Sequence, residues 1–257
     1  RDIASLMALD YISVGQKENK KIIFGSVDIK EMVKHSITLD YDEVTDITPD
    51  IRITFYDAGH TLGSAMVHLN IGNGLHNLLY TGDMNYETSN LLSAAITRFP
   101  RLETMIMEAT YGGSNENYPT RKEAEELLAK TIKATIERDG KVLMPVLGTG
   151  RAQEIMVIID KMIRNSQLDK IQVYVQGIVW DITAIHTAYP DFFNSNVRKM
   201  VFHKDQNPFL SDIFKRVGSR QEMQEVLESG PCIILATSGM MVGGSSVEYF
   251  KELADNP

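Results

Sequence analysis

The chain has 257 residues, 43% hydrophobic and 23% charged, which is enough to bury a full core and hold two domains of ordinary soluble composition. Its single cysteine, Cys232, excludes internal disulfides and a cysteine-based zinc cluster and suits a reducing, cytoplasmic compartment; no apolar run reaches the roughly 18 residues of a membrane span. The net charge is −8, and 9 basic against 15 acidic residues precede position 116, which excludes a surface broadly coated with nucleic acid but not a local basic groove.

In chain order, Ile3, Leu6, Met7 and Ile12 recur at near-helical spacing and predict a helix already under way at Arg1. Residues 17–21 read as a polar turn and residues 22–24 as a short strand. Residues 28–35 read as a short helix with Ile29, Met32 and Val33 on one face, and His35 at its end suits the helix dipole better than a metal. Residues 37–108 are strand-rich. Ile51, Ile53 and Phe55 alternate with polar residues, as do Val67, Leu69 and Ile71, and Gly72-Asn-Gly74 predicts a hairpin joining residues 65–71 to residues 75–80. His68 falls on the polar face of its strand and His76 opens the next, so both are expected to face solvent or a neighbouring strand rather than a ligand.

Three of these segments end in chemistry. Asp57-Ala-Gly-His-Thr-Leu-Gly-Ser64 follows residues 51–55, Tyr80-Thr-Gly-Asp83 closes the hairpin, and Glu108 follows residues 104–107. Glycine lets backbone approach a ligand closely, and one imidazole with two carboxylates at successive strand ends is the donor set of part of a metal site. Strands also end at Gly and Asp where no ligand is bound.

Residues 111–119 read as a loop, after which Thr120-Arg-Lys-Glu123 is a capping box opening a long helix. Leu127, Leu128, Thr131, Ile132, Thr135 and Ile136 are its expected buried stripe, and Gly140 stops it. Strands at 142–146, 171–175, 200–202 and 232–236 then alternate with helices at 151–163, 181–188, from 219 and after 246. Such alternation predicts an α/β fold with a doubly wound parallel sheet that binds ligands at the C-terminal strand ends. Gly148-Thr-Gly150 before a helix, with Arg151, can aim N–H groups and charge at a phosphate, and Ser238-Gly239 with Gly243-Gly244 offers similar donors. The run lacks the Walker lysine and the full dinucleotide fingerprint, which disfavours a nucleotide cofactor, and a tight strand-to-helix turn explains it equally well. Ser238 has neither a Gly-x-Ser-x-Gly frame nor a histidine partner to make it a nucleophile. His186 in mid-helix and His203 near a strand end read as hydrogen-bonded structural histidines.

Five ordered motifs stand out: Gly59-His-Thr-Leu-Gly-Ser64, Thr81-Gly-Asp83, Met107-Glu-Ala-Thr-Tyr-Gly112, Gly150-Arg-Ala-Gln-Glu154 and Ala236-Thr-Ser-Gly-Met240. Together they resemble the β-CASP branch of the metallo-β-lactamase superfamily, and residues 180–190 with Leu75-His-Asn77 are most similar to the archaeal cleavage and polyadenylation specificity factors. The resemblance covers essentially the whole chain. It implies a partial metallo-β-lactamase domain of αββα type over residues 1–115 and a doubly wound parallel-sheet β-CASP domain over residues 116–257, roofing the cleft. It further implies two zinc ions hydrolysing RNA phosphodiesters in 3′-end processing and transcription termination, endonucleolytically and also 5′→3′ exonucleolytically. By the match, His60 is a ligand of one zinc, Asp83 the carboxylate bridging both, and Glu108 the acid that orients a later histidine and assists proton transfer. Arg151 and Ser238 are the candidate RNA contacts. RNA and a second copy of the chain are the implied partners, with no membrane.

The family's His-x-His-x-Asp-His motif is missing from this sequence, as are the histidines expected beyond the β-CASP domain. The expectation is therefore the central fragment of a longer enzyme, inactive by itself; family architecture suggests RNA-binding KH domains upstream. Two rivals remain: a non-catalytic β-CASP scaffold that binds RNA or protein subunits, and a small-molecule metallohydrolase, which a capping α/β domain disfavours.

Overall fold

Alternating β-branched and aromatic residues make residues 44–80 a four-stranded meander. The computed structural model describes residues 1–17, 19–113 and 118–255. Among these, β1 (Val44–Thr48), β2 (Ile51–Asp57), β3 (Ala65–Ile71) and β4 (His76–Tyr80) pair antiparallel in chain order, and β5 (Thr104–Ile106) adds in parallel to β4. The expected hairpin is present: Ile71 faces His76 across Gly72, Asn73 and Gly74, all three at positive φ. Because β2 and β4 are both antiparallel to β3, and β5 is parallel to β4, the C-terminal ends of β2, β4 and β5 lie at one edge of the sheet. That edge carries His60, Asp83 and Glu108.

The core face of this sheet is the opposite of the one the alternation suggests. Ala58, Met66, Leu79 and Ala95 form the buried cluster, with Tyr56, Met84, Phe99 and Leu102 packed against it. Thr54 and His68 share that face and are buried, whereas Ile51, Ile53, Phe55, Val67, Leu69 and Ile71 are only half-buried. His68 is therefore not solvent-facing; it lies opposite Thr54 and Leu79, and its Nε2 meets the Arg101 carbonyl oxygen at 3.0 Å. A buried imidazole is tolerated because a backbone carbonyl satisfies it. His76 is exposed and bonds Thr104 Oγ1 at 3.1 Å. On β5, Met105 and Ile106 are exposed, and so is Met107 just beyond it.

The second sheet is fully parallel, in the order β6 (Lys141–Pro145), β9 (Cys232–Ala236), β7 (Val173–Gln176), β8 (Phe214–Val217). Every residue of β9 is buried, as a central parallel strand covered on both faces requires. Ile234 and Ala236 point into a cluster with Met223 and Val226 of α7 (Arg220–Glu228) and Tyr249 of α8 (Ser245–Leu253). Ile233 and Leu235 point the other way and are equally inaccessible. The strand order and helices agree with the predicted doubly wound architecture, with α3 (Arg121–Ile136) packing on β6 and α5 (Val179–Ala188) on β7. The capping box expected for α3 forms, Thr120 Oγ1 accepting from Glu123 N–H, and α7 opens with another, Ser219 Oγ accepting from Glu222 N–H.

Several expectations are corrected. Residues 22–24 form no strand: Ile22 packs on Gly15, and Phe24 stacks on Tyr11 of α1 (Asp2–Lys17) with ring centroids 5.6 Å apart. Residues 200–202 belong to a helix, α6 (Ser195–Lys204), so His203 is helical too. Asn194 starts it, its Oδ1 accepting from the N–H groups of Asn196 and Val197, and Val197, Met200 and Val201 are its inward face. The strand missing from the prediction is β8, where Lys215 and Arg216 are both exposed between buried Phe214 and Val217, so no alternation signals it. In α3 the stripe is carried by Ile132 with Leu128, Thr135 and Ile136 half-buried, while Leu127 and Thr131 are exposed. His35 ends α2 (Ser26–His35) with its Nδ1 on the Glu31 carbonyl oxygen at 2.8 Å, in keeping with an end-of-helix role.

By internal contacts the chain divides into one unit of Ile37–Tyr118 with Pro190–Lys199 and another of Arg1–Ser36, Pro119–Tyr189 and Met200–Pro257. The expected boundary between residues 115 and 116 and the middle of the expected loop at 111–119 lie outside the described residues, as does part of the expected polar turn at 17–21.

His186, on α5, is fully buried, its Nδ1 on the Ile182 carbonyl oxygen at 2.8 Å and its ring edge-on to Phe209. Burial pushes its pKa below the ordinary histidine value, against the backbone bond to Ile182, which raises it. A depressed value means that the unfolded chain takes up the proton first, so this stabilisation is complete above about pH 6.5 and drains away as pH falls toward the folded value. Urea unfolding should therefore lose up to about 1.4 kcal/mol per pH unit on acidification through that window, and His186→Gln should flatten the slope by one proton; equal slopes would remove the assignment.

Candidate metal centre

The three sequence-predicted residues at the first sheet's edge come together. His60 Nε2 stands 3.8 Å from Asp83 Oδ2, with side-chain exposures of 30% and 73%. Glu108 lies at the same sheet edge, its carboxyl held below the ordinary glutamate value first by the Met84 backbone N–H, which donates to its Oε1 at 2.7 Å, then by the Thr110 side chain, with His60 the smallest contributor.

The His60 turn is built by local geometry. Asp57, last residue of β2, accepts the Gly59 N–H at 2.8 Å, and Gly59 sits at φ +62. Burial raises the Asp57 carboxyl above its ordinary value, the Gly59 bond lowers it and nearby Asp42 raises it again. Ser64 closes the turn, its Oγ accepting the N–H groups of His60 and Thr61 at 3.1 Å each and its carbonyl oxygen accepting the Ala58 N–H at 3.2 Å. The Asp83 turn leaves β4 through Thr81, whose N–H donates to Ile106 O at 3.0 Å, and Gly82 at φ +52.

Two donors bound to one tetrahedral zinc lie roughly 3.4 Å apart, so His60 and Asp83 fit a shared ion with a small adjustment. They fit as part of a site: among the described residues no group of three or more His, Cys, Asp or Glu side chains could enclose a metal.

Arg151 and Ser238 lie in the parallel-sheet unit, Arg151 at the start of the helix that follows the loop after β6 and Ser238 on the neighbouring loop after β9. A Cβ on Gly239 would stand 2.9 Å from Leu147 N, which is how closely those loops approach. Arg151 is exposed in the first turn of α4 (Arg151–Arg164), after Gly150 at φ +79. Gln153 caps that helix, its Oε1 accepting the Gly150 N–H at 2.8 Å. The Ser238 hydroxyl donates to Gly243 O at 3.2 Å and accepts the Val242 N–H at 3.3 Å, so it closes its own loop. Sequence reasoning missed Ser64, Asn85 and the segment 91–96 as supports of the centre. Ser64 stood in a quoted motif, but the others act through backbone atoms, which no residue pattern reports.

Residues 152–257 match the Beta-Casp domain family, and the mixed α/β structure with its parallel sheet is consistent with part of a metallo-β-lactamase fold plus a β-CASP domain. Over its whole length it is 51% identical to the transcription termination factor FttA of Methanothermobacter thermautotrophicus, with 257 residues aligned. It is 50% identical over 258 residues to FttA of Thermococcus kodakarensis, and 45% identical over 256 residues to that of a Lokiarchaeum species. The chain spans 40% of the length of these relatives. Among the described residues no helix is long and apolar enough to cross a membrane.

Proposed function

We propose that this chain is part of a zinc-dependent ribonuclease that hydrolyses RNA phosphodiesters in 3′-end formation and transcription termination, endonucleolytically and with 5′→3′ exonuclease activity. The observation that carries the proposal is the convergence of His60, Asp83 and Glu108 at one sheet edge within a chain half-identical to termination factors. His60 Nε2 and Asp83 Oδ2 would hold metal, Asp83 as the bridge between two ions, and Glu108 is the adjoining acid for proton transfer. Zinc, when bound, would supply Lewis acidity and activate water near neutral pH. Arg151 offers charge at a helix N-terminus for an RNA phosphate. The protein works in the cytoplasm, as a homodimer.

With two ligating side chains, the 257-residue chain should bind zinc weakly and leave RNA intact. Zinc titration followed by an RNA cleavage assay checks this, and robust cleavage by the chain itself would contradict it. The small donor set also favours a second reading, a β-CASP scaffold that binds RNA without cutting it. The protein at the full length of its relatives separates the two, since a scaffold binds RNA and never cleaves it. In that protein, Arg151→Ala and Ser238→Ala should weaken RNA binding by several-fold with metal content unchanged. Unaltered affinity would return both residues to a purely structural part in their turns.

A further inference from the structure

The turns that carry His60 and Asp83 are each pinned by a side chain belonging to neither ligand. On one side, Ser64 Oγ accepts two N–H groups, from His60 and Thr61 at 3.1 Å each, which uses both lone pairs of the hydroxyl. The Ser64 carbonyl oxygen is held in turn by the Tyr41 hydroxyl, which donates at 2.8 Å. On the other side, Glu108 Oε1 accepts the N–H of Met84, the residue after Asp83, at 2.7 Å. Glu108 is itself anchored, its N–H donating at 3.2 Å to Thr81 Oγ1, which donates at 2.7 Å to Gly82 O.

The two turns are then tied to each other by backbone. Asn85 N–H donates to Ala58 O at 2.9 Å, Ala95 N–H to Asn85 O at 2.8 Å, and Ile96 N–H to Asp57 O at 3.0 Å. Leu91, Leu92 and Ala95 bury the segment that makes the last two bonds. A metal ligand held by its own local bonds loses little freedom when an ion arrives, whereas a loose one must be ordered at the expense of affinity.

We propose that Ser64 and Glu108 are positioning residues that fix the His60–Asp83 spacing before any ion binds, Ser64 through the His60 backbone and Glu108 through the Met84 N–H beside Asp83. The inference rests on the reading of His60 and Asp83 as metal ligands. Glu108 then acts through the Asp83 turn in addition to any part it takes in proton transfer.

The test uses the 15N-labelled chain with two readouts, amide exchange at His60 and Met84 without metal, and the ring shifts of His60 as Zn2+ is added. Ser64→Ala should speed exchange at His60 and raise the half-saturating zinc concentration about tenfold, with the Met66 and Leu79 methyl shifts of the core unmoved. Ser64→Thr, which keeps the hydroxyl, should restore both. Glu108→Ala should do the same at Met84, while Glu108→Gln, which keeps a carbonyl oxygen for the Met84 N–H, should leave that amide protected. If Ser64→Ala does not fold, Tyr41→Phe loosens the same turn one bond further out and should weaken zinc in the same direction. Parent-like exchange and zinc response in Ser64→Ala and Glu108→Ala overturn the inference and leave the metal reading intact. Zinc that leaves the His60 ring untouched in the protein at the full length of its relatives overturns both.

Discussion

Gly59→Ala should destabilise the first sheet's unit by about 3 kcal/mol or more, the largest stability loss of any single methyl added to the candidate centre. Two costs add. The backbone sits at φ +62, where an L-residue is strained by about 1–2 kcal/mol. The new Cβ would also stand 2.6 Å from Ser93 O and 2.7 Å from Ala95 N, both backbone atoms that cannot rotate away. Ala95 N–H is already committed to Asn85 O, so relief of the clash would break the tie between the two ligand turns. Gly63→Ala is the natural control: φ is +80 there, but nothing lies within 4 Å of the added carbon, so only the conformational part of the loss remains. The sole tryptophan, Trp180, lies in the parallel-sheet unit, so the reporters for this comparison are the Met66 and Leu79 methyl signals in urea. Equal midpoints for the two variants would show that the His60 turn is not seated on residues 93–95 as described.

His60→Ala or Asp83→Ala, in the protein at the full length of its relatives, should reduce RNA cleavage by roughly three orders of magnitude or more, about 4 kcal/mol of transition-state stabilisation. The argument is one of charge. On the proposed function, the Asp83 carboxylate and the His60 imidazole would hold metal whose positive charge would stabilise an RNA phosphate, and partially exposed side chains of this kind contribute little else to the fold. His60 and Asp83 are 30% and 73% exposed, so neither is a core side chain and the unfolding free energy should fall by about 1 kcal/mol or less, least for Asp83. Zinc content should fall along with activity. Loss of cleavage with full zinc retention would place the ions on other ligands and contradict the role given to this pair.

What could be read from sequence was whatever depends on local pattern. The hairpin at Gly72-Asn-Gly74, the capping boxes at Thr120 and Ser219, and the buried strand Cys232–Ala236 all carry their own signals. So do the three strand ends, because a His between glycines and a Gly-Asp after an apolar run mark where a strand stops and a side chain is presented. What could not be read depends on neighbours. In β2 and β3 alternation gave the strands but pointed to the Ile51-Ile53-Phe55 face; Met66, Leu79 and the surrounding loop residues 95–102 bury the other one. Met200-Val201-Phe202 has strand composition, yet the Asn194 cap and the burial of Val197 make it helix. β8 hides because its middle residues are both exposed cations. The brace behind the candidate centre is made of main-chain bonds from Asn85, Ala95 and Ile96, and side-chain identity carries no record of them.

The central claim is that His60 and Asp83 share a zinc ion. An anomalous difference map at the zinc edge, from crystals of the protein at the full length of its relatives, tests it most directly. The account predicts a peak about 2.0–2.2 Å from both His60 Nε2 and Asp83 Oδ2. Zinc bound elsewhere, or none against these two atoms, would contradict it.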